Sequence, residues 1–363
     1  MHKLGILGFG GMASGYHYET SKREDVDIKT TAAYDINPDR LKAARKEKIP
    51  AFSDLDEFLK QDFDLCLVAT TNNFHCEMAC AAMNAGKNVM VEKPAAMSST
   101  EIETMIATAK KNNVLFTVHH NRRWDRDFMI VKKAFDDGVL KEPYMIESRI
   151  HGDGGSMYGW RDQPDHGGGM FLDWGIHAMD QMLYLIQEPV ISVTAVIKNI
   201  TTELVDDYAK VILNFESGLS AHVEVATFIQ QKLPRWSIFC LDGNLQISEI
   251  SSQYASLVKI KDAHYEPYEL LAYTKDGVET RTSKYLVFKK EEEQYPDIEI
   301  PQDWAFLYKN LLNALDGKEE LIVKPEQVLR CFKVMEAAFR SSREGITVQF
   351  DDHYLSEYKK LGK

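Results

Sequence analysis

Leu4-Gly5-Ile6-Leu7-Gly8-Phe9-Gly10-Gly11-Met12-Ala13 is the stretch whose reading decides the fold. Leu4–Phe9 is a short apolar run bounded by glycine, as expected of a parallel strand buried on both faces. Residues 8–13 then fit the pattern G-x-G-x-x-G/A, and a helical stretch from about Met12 to Lys22 follows. Strand, glycine turn and helix in that order are the context in which the pattern binds a dinucleotide. Gly8 permits the tight turn, Gly10 lets the backbone approach a pyrophosphate, and Ala13 lets the helix pack closely on the strand. Phe9, Gly11 and Met12 complete the loop, and the helix N-terminus offers free N–H groups and partial positive charge to the anion. A second strand, Ile28–Tyr34, ends at Asp35, twenty-two residues after Ala13. An acidic residue about 20 residues on is placed to hydrogen-bond the adenosine ribose. Asp35 repels a 2′-phosphate and so favours NAD, while Arg40 close behind it keeps NADP open. The bland alternative is a structural glycine turn followed by a helix-capping aspartate.

Working outward, the alternation continues. Asn37-Pro38-Asp39 opens a charged helix to about Lys48, with asparagine as N-cap and proline at the first helical position. Asp54–Gln61 reads as a short helix, Asp64–Ala69 as a third strand and His75–Ala85 as a helix stopped by Gly86. Asn88–Val91 is a fourth strand, Ser98–Asn112 a helix with a capping-box start, and Val114–Val118 a fifth strand. Strands alternating with helices predict an α/β, doubly wound parallel sheet of Rossmann type. After Asn121 the rhythm changes. Phe128–Asp136 is helical, and then Tyr144–Ile150, Val190–Lys198, Ala209–Phe215, Ser220–Ala226, Trp236–Leu241, Leu257–Ile260 and Tyr285–Phe288 read as strands with few helices between them. That predicts an α+β second domain with a large open antiparallel sheet. Lys289–Glu293 reads as a solvated turn, and Trp304–Leu315 and Glu326–Arg343 as closing helices. The expected domains are residues 1–121 and 122–363, with the helix at about 326–343 packing back on the first.

The bulk numbers fit this picture. The 363 residues exceed one ordinary core, and 44% hydrophobic with 27% charged residues is normal for a globular protein. A net charge of −12 argues against a nucleic-acid partner, which needs a basic face. No run of 18 apolar residues is present, so no membrane span is expected, and the N-terminus lacks a signal-peptide pattern. Five cysteines, odd in number and sparsely spaced, do not make a disulfide framework and point to a reducing cytoplasm. Cys76 and Cys80 stand one helical turn apart, and two thiolates leave a zinc site short of ligands. Helix packing is their reading.

Three segments carry candidate chemistry. Glu92-Lys93-Pro94 follows a strand directly, which puts Lys93 at the carboxyl edge of a parallel sheet, where ligands bind. A lysine there can stabilise a developing alkoxide; a surface lysine is the alternative. Gly167-Gly168-Gly169 leads to Asp173 and His177, four apart and so on one helix face. Such a pair suits a carboxylate that orients an imidazole acting as base. The same spacing suits two metal ligands, but no H-E-x-x-H and no further carboxylate cluster completes a site, so no metal is expected. A purely structural pair is the alternative. His119-His120-Asn121-Arg122-Arg123 ends the fifth strand, again at the ligand edge, and Asn121 and Arg122 can hold a sugar or a cofactor carboxamide. An inter-domain ion-pair cluster reads equally well.

Together these segments resemble the Gfo/Idh/MocA family of oxidoreductases over nearly the whole chain. The resemblance rests on Gly8–Ala13, Thr70-Thr71-Asn72-Asn73-Phe74-His75, Glu92-Lys93-Pro94, Asn121-Arg122-Arg123, and Gly168-Gly169 leading to Asp173-x-Gly175-x-His177. It implies that Lys93, Asp173 and His177 line the reaction site, and that Thr70, Thr71, Asn72, His75 and Glu92 lie beside NAD. Asn72 departs from the proline common in that stretch of the family. The implied reaction is hydride transfer between nicotinamide and a secondary hydroxyl of a sugar, glycoside (at C3 in one variant) or inositol. In it His177 is the base, Asp173 orients it and Lys93 holds the oxyanion. Tyr158, Trp160, Arg161 and His166 suit a polyol ring. The family also implies a homo-oligomer, dimer or tetramer, through the open sheet. Two other readings follow from the resemblance: glycoside cleavage with tightly held NAD and no net redox change, and an NAD-binding sensor without catalysis.

Overall fold

The computed structural model describes residues 1–267, 273–278 and 284–355. The N-terminal half forms a wholly parallel sheet from β1 (His2–Leu7), β2 (Ile28–Tyr34), β3 (Ala51–Phe52), β4 (Leu65–Val68), β5 (Asn88–Val91) and β6 (Phe116–Val118). Their order is β3-β2-β1-β4-β5-β6, the doubly wound arrangement with its switch point between β1 and β4. Leu4, Ile6, Leu7 and all of Leu65–Val68 are fully buried, which is why these strands read as continuous apolar runs. Asn37 and Ser98 cap the helices Pro38–Lys46 and Ser99–Asn112 through their side chains. Two details differ from expectation. The two-residue β3 adds a sixth strand, and the first helix opens with a π-turn, Ala13–His17, before Tyr18–Thr20.

The second sheet has nine strands: β7 (Pro143–His151), β8 (Val190–Lys198), β9 (Tyr208–Phe215), β10 (Ser220–Ala226), β11 (Trp236–Cys240), β12 (Gly243–Ile247), β13 (Ala255–Pro267), β14 (Lys284–Tyr295) and β15 (Val348–Gln349). The order is β14-β13-β12-β11-β7-β10-β9-β8-β15. Every neighbouring pair is antiparallel except β7 and β10. Burial alternates along β9, and the helices Ile176–Leu185 and Pro325–Glu344 cover the inner face. The outer face presents Glu147, Arg149, His222 and Glu224. The charge run Lys289–Glu293 is not a turn: it lies within the edge strand β14, where Glu293 and Glu291 face Lys259 and Lys261 of β13. Charge on both faces of an edge ribbon erases the apolar alternation and discourages a further strand from adding.

The end of the chain returns to the first domain. Tyr308 OH meets His17 Nδ1 at 2.7 Å, Thr117 Oγ1 donates to Val323 O at 2.8 Å, and Ser99 N donates to Glu336 Oε1 at 2.8 Å. Among the described residues, no helix is long and apolar enough to cross a membrane.

Candidate active site

A cleft of about 1270 Å³ opens where β1, β4 and β5 end and β7 and β10 of the second sheet meet them. Gly8 sits at φ +97°, and a Cβ there would come within 2.7 Å of Ala69 O. Gly10 and Gly11 face open space, with nothing within 4 Å of a Cβ built on either. One glycine closes the turn and the next two leave room for a ligand against bare backbone, which is the cradle a pyrophosphate needs. Asp35 accepts the N–H groups of Phe9 and Asn37, each at 2.8 Å. Its carboxylate is thereby fixed at the mouth of the glycine loop, beside Arg40. The residues fit NAD.

Lys93 leaves the end of β5 and reaches Asp173 Oδ1 at 2.7 Å and Asp173 O at 2.9 Å. Two of its three N–H bonds are spent there, leaving one for a ligand. The other carboxylate oxygen of Asp173 accepts from Arg161 Nε at 3.0 Å. Burial alone raises this carboxyl, but Lys93 and Arg161 outweigh it and hold it below its usual value. Asp173 therefore does not orient His177, contrary to the sequence expectation. The reason is electrostatic: Lys93 and Arg161 reach the Asp173 carboxylate, one at each oxygen. Phe171–Gly175 forms a π-turn before the α-helix begins at Ile176. His177 lines the cleft with its Nδ1 sealed in the protein and without a hydrogen-bond partner, which leaves Nε2 to face the cleft. Burial, then the charges of Lys93 and Arg122, hold its imidazole well below the usual value. It is neutral at pH 7 and able to accept a proton.

Behind Lys93 lies a buried cluster. Glu92 Oε1 meets His17 Nε2 at 2.6 Å and His119 Nδ1 at 3.0 Å, the latter off the hydrogen-bond direction. Burial raises the Glu92 carboxyl, yet the two imidazoles win and hold it well below its usual value. The three ligating atoms lie within 4.8 Å of one another, the one such grouping among the described residues. Two ligands of one tetrahedral zinc, each about 2.0–2.1 Å from it, stand roughly 3.3 Å apart. The 2.6 Å contact is shorter than that and is a hydrogen bond between the His17 ring and the Glu92 carboxylate.

The pattern of an oxidoreductase family with an NAD-binding Rossmann fold matches residues 2–120, and that of the GFO/IDH/MocA C-terminal domain matches residues 128–246. The chain belongs to the Gfo/Idh/MocA family. It is an NAD-binding oxidoreductase of that family. It is 25% identical to the scyllo-inositol 2-dehydrogenase (NADP+) of Bacillus subtilis, over 96% of each chain. It is 31% identical to the myo-inositol 2-dehydrogenase of Thermotoga maritima, over 60% of this chain and 66% of that one. A solved NAD-binding protein from Listeria innocua superposes with a TM-score of 0.82 at 32% identity, covering 97% of this chain and 98% of that one.

Against that family frame, the residues singled out from sequence fall into groups. Gly8, Gly10, Gly11, Met12, Asp35, Arg40, Thr70, Thr71, Asn72, His75, Glu92 and Lys93 line the cleft, as do Asn121, Arg122, Tyr158, Trp160, Arg161, Asp173 and His177. Phe9 and Ala13 are core residues below the loop. His166 does not line the cleft; its ring meets Asn73 Oδ1 at 3.2 Å. His75 sets one ring nitrogen 2.9 Å from Pro94 O and the other 3.1 Å from Thr70 O; burial disfavours its charged form, so the ring donates to one of these carbonyls and braces the loops beside the cofactor cradle. Asn72, where the family commonly has proline, donates to Gly167 O at 3.1 Å and ties this loop to the glycine tract.

Two parts of the site had no signal in the sequence. Arg122 lies over Trp174 at 4.3 Å and over Trp304 at 5.5 Å, and Trp304 comes from far along the chain. Asp206, just before β9, accepts Phe171 N through Oδ2 at 2.7 Å and Met170 N through its carbonyl at 2.8 Å. It thus caps the turn that carries Asp173. A Cβ on Gly169 would lie 2.4 Å from Asp206 Oδ1, and one on Gly168 would lie 2.3 Å from Arg161 O. The glycines are there to let that turn close.

Proposed function

We propose that this protein is an NAD(P)-dependent dehydrogenase acting on a secondary hydroxyl of a cyclic polyol: an inositol, a sugar or a glycoside. The observation that carries the reading is the set at the carboxyl edge of the first sheet: a cationic Lys93 held by Asp173, beside a neutral His177 facing the same cleft. A hydroxyl seated there meets a donor and an acceptor at once. Lys93 turns its remaining N–H to the oxygen and stabilises the developing alkoxide. His177 takes the hydroxyl proton at Nε2. NAD, which Gly8, Gly10, Gly11 and Asp35 would hold, would supply the redox chemistry as hydride acceptor. Asp173 serves by fixing Lys93. Inositol dehydrogenases among the relatives support the substrate class. The carboxylate of Asp35 at the cradle's mouth favours NAD over NADP.

The open outer face of the second sheet, with its charges paired within the chain as Glu147 with Arg149 and Glu224 with Lys210, is the contact we propose for a second copy of this chain. Sedimentation velocity reads the state directly, and a monomer at micromolar concentration refutes the homo-oligomer. The five free cysteines suit a reducing cytoplasm.

The test is reduced-cofactor absorbance from purified protein with NAD, then NADP, against myo-inositol, scyllo-inositol, free sugars and alkyl glycosides. Lys93→Ala and His177→Ala run beside it. Expected is turnover with one polyol class that falls at least about 100-fold in each variant. Protein that binds NAD by calorimetry but reduces it with no polyol refutes the proposal.

A further inference from the structure

The overturned Asp173–His177 pairing leaves a question of its own: what holds the imidazole of His177. A neutral imidazole carries one N–H and one bare nitrogen. If Nε2 is to accept a proton from the cleft, Nδ1 must carry the hydrogen and needs an acceptor in the protein. His177 Nδ1 is sealed from solvent, and a buried donor left unmet costs about 1–3 kcal/mol. The neighbours of His177 narrow the choice. Lys93 and Arg122 only donate, and the indole of Trp174, whose ring centroid is 6.2 Å away, offers an N–H and no acceptor. Glu92 already serves neighbours on both oxygens: Oε1 meets His17, with His119 close by, and Oε2 accepts the N–H of Lys93 at 2.9 Å.

Of the titratable groups that face His177, His120 is the one with two unpartnered ring nitrogens. Its ring stands edge-on to that of His177, with centroids 6.3 Å apart and planes at 85°. It is fully buried, and neither of its nitrogens has a hydrogen-bond partner. Behind it lies Asp180, whose Oδ2 is 3.8 Å from His120 Nδ1. Arg123 pins that carboxylate with bonds of 2.6 and 2.8 Å, and each of its oxygens keeps a lone pair to spare. Three orphaned ring nitrogens on two facing imidazoles, with a fixed carboxylate beyond them, form an incomplete chain with a direction.

We propose that His120 is the positioning residue of the catalytic imidazole: it accepts the Nδ1–H of His177, directly or through one water, and turns its own N–H toward Asp180. The proposal rests on the reading of His177 as proton acceptor. The chain fixes the tautomer that leaves Nε2 bare for the substrate hydroxyl. It also gives the imidazolium formed after proton transfer a path to the charge of Asp180. The remaining charged and titratable groups facing the two rings are Lys93, Arg122, Arg123, His119 and Glu92. Of these, Glu92 and His119 can accept; Glu92 already takes Lys93 N and His17, and the ring of His119 packs against those of Tyr16, His17 and Tyr308.

The test reads the tautomer itself and needs no substrate. Full-length protein labelled with ¹⁵N at histidine is examined by long-range proton–nitrogen correlation at neutral pH, with His177 assigned by its loss in His177→Gln. Expected is the Nδ1–H tautomer for His177 in the wild type, and a shift to Nε2–H or to a mixture in His120→Phe. His120→Asn, whose amide both accepts and donates, retains the wild-type tautomer. Where a polyol substrate has been found, His120→Phe lowers kcat about 10- to 100-fold with KM little changed, and His120→Asn restores most of it. A wild-type His177 in the Nε2–H form overturns the proposal without recourse to any variant, and so does a tautomer unmoved in His120→Phe. Absence of polyol turnover with the expected tautomer present leaves this proposal standing and refutes only the substrate reading.

Discussion

Asp206→Asn is expected to stabilise the protein, increasingly so as pH rises. Asp206 caps the turn bearing Asp173, accepting Phe171 N at 2.7 Å. Burial, against the help of those backbone N–H groups, pushes its carboxyl up to about 6 from an ordinary 3.8. The sign follows from proton counting. Between these two values the folded chain holds a proton that the unfolded chain has released, so stability falls as pH rises through the window and stays low above it. The move from 3.8 to about 6 corresponds to about 3 kcal/mol at neutral pH. Asparagine keeps the shape and the accepting oxygen but has no charge to bury. Its advantage over the wild type therefore grows by about 2 kcal/mol between roughly pH 4.5 and pH 7.5. Urea unfolding followed by circular dichroism, at a series of pH values for both proteins, measures that difference. An advantage that does not change with pH refutes the burial argument. A deficit that grows with pH shows instead that the turn needs the carboxylate charge.

Gly169→Ala is expected to cost about 2–4 kcal/mol, because its φ of +111° strains any side chain and the new Cβ would fall 2.4 Å from Asp206 Oδ1; an unchanged urea midpoint refutes it. Asp35→Ala removes the anion that faces a 2′-phosphate and frees the N–H groups of Phe9 and Asn37. The ratio of kcat/KM for NADP over NAD then rises about 10- to 100-fold. A ratio that stays constant means that Arg40 or the loop backbone, not Asp35, sets the preference.

The parallel half of the molecule was legible because its strands are buried on both faces and stay apolar throughout, with glycines and caps marking every turn. The second sheet was legible only where one face is covered. β9 alternates cleanly, but the ribbon of β13 and β14 carries Lys259, Lys261, Glu291 and Glu293 in pairs across its strands. No apolar period survives there, and the ribbon read as a short strand and a turn. In the site, the rule that ligands gather at the carboxyl edge of parallel strands was enough to find Lys93, Asn121 and Arg122. Trp304 and Asp206 reach the site from distant segments, and no local pattern announces them.

Asp173 and His177 show most clearly where spacing stops being informative. Both residues line the cleft, but Asp173 gives its carboxylate to Lys93 and Arg161 rather than to His177, and the i, i+4 spacing carries no sign of partners from other segments. The difference is chemical. A carboxylate bonded to His177 would raise its basicity, and at neutral pH part of the enzyme would then hold an imidazolium unable to take a proton. With Asp173 committed to Lys93 and Arg161, negative charge stabilises the cation to which the proposed reaction gives the donor role. His177 is left among Lys93 and Arg122, which keep it neutral. In the proposed reaction donor and acceptor are separated by where one carboxylate goes, and Lys93 and Arg161 are what hold it there.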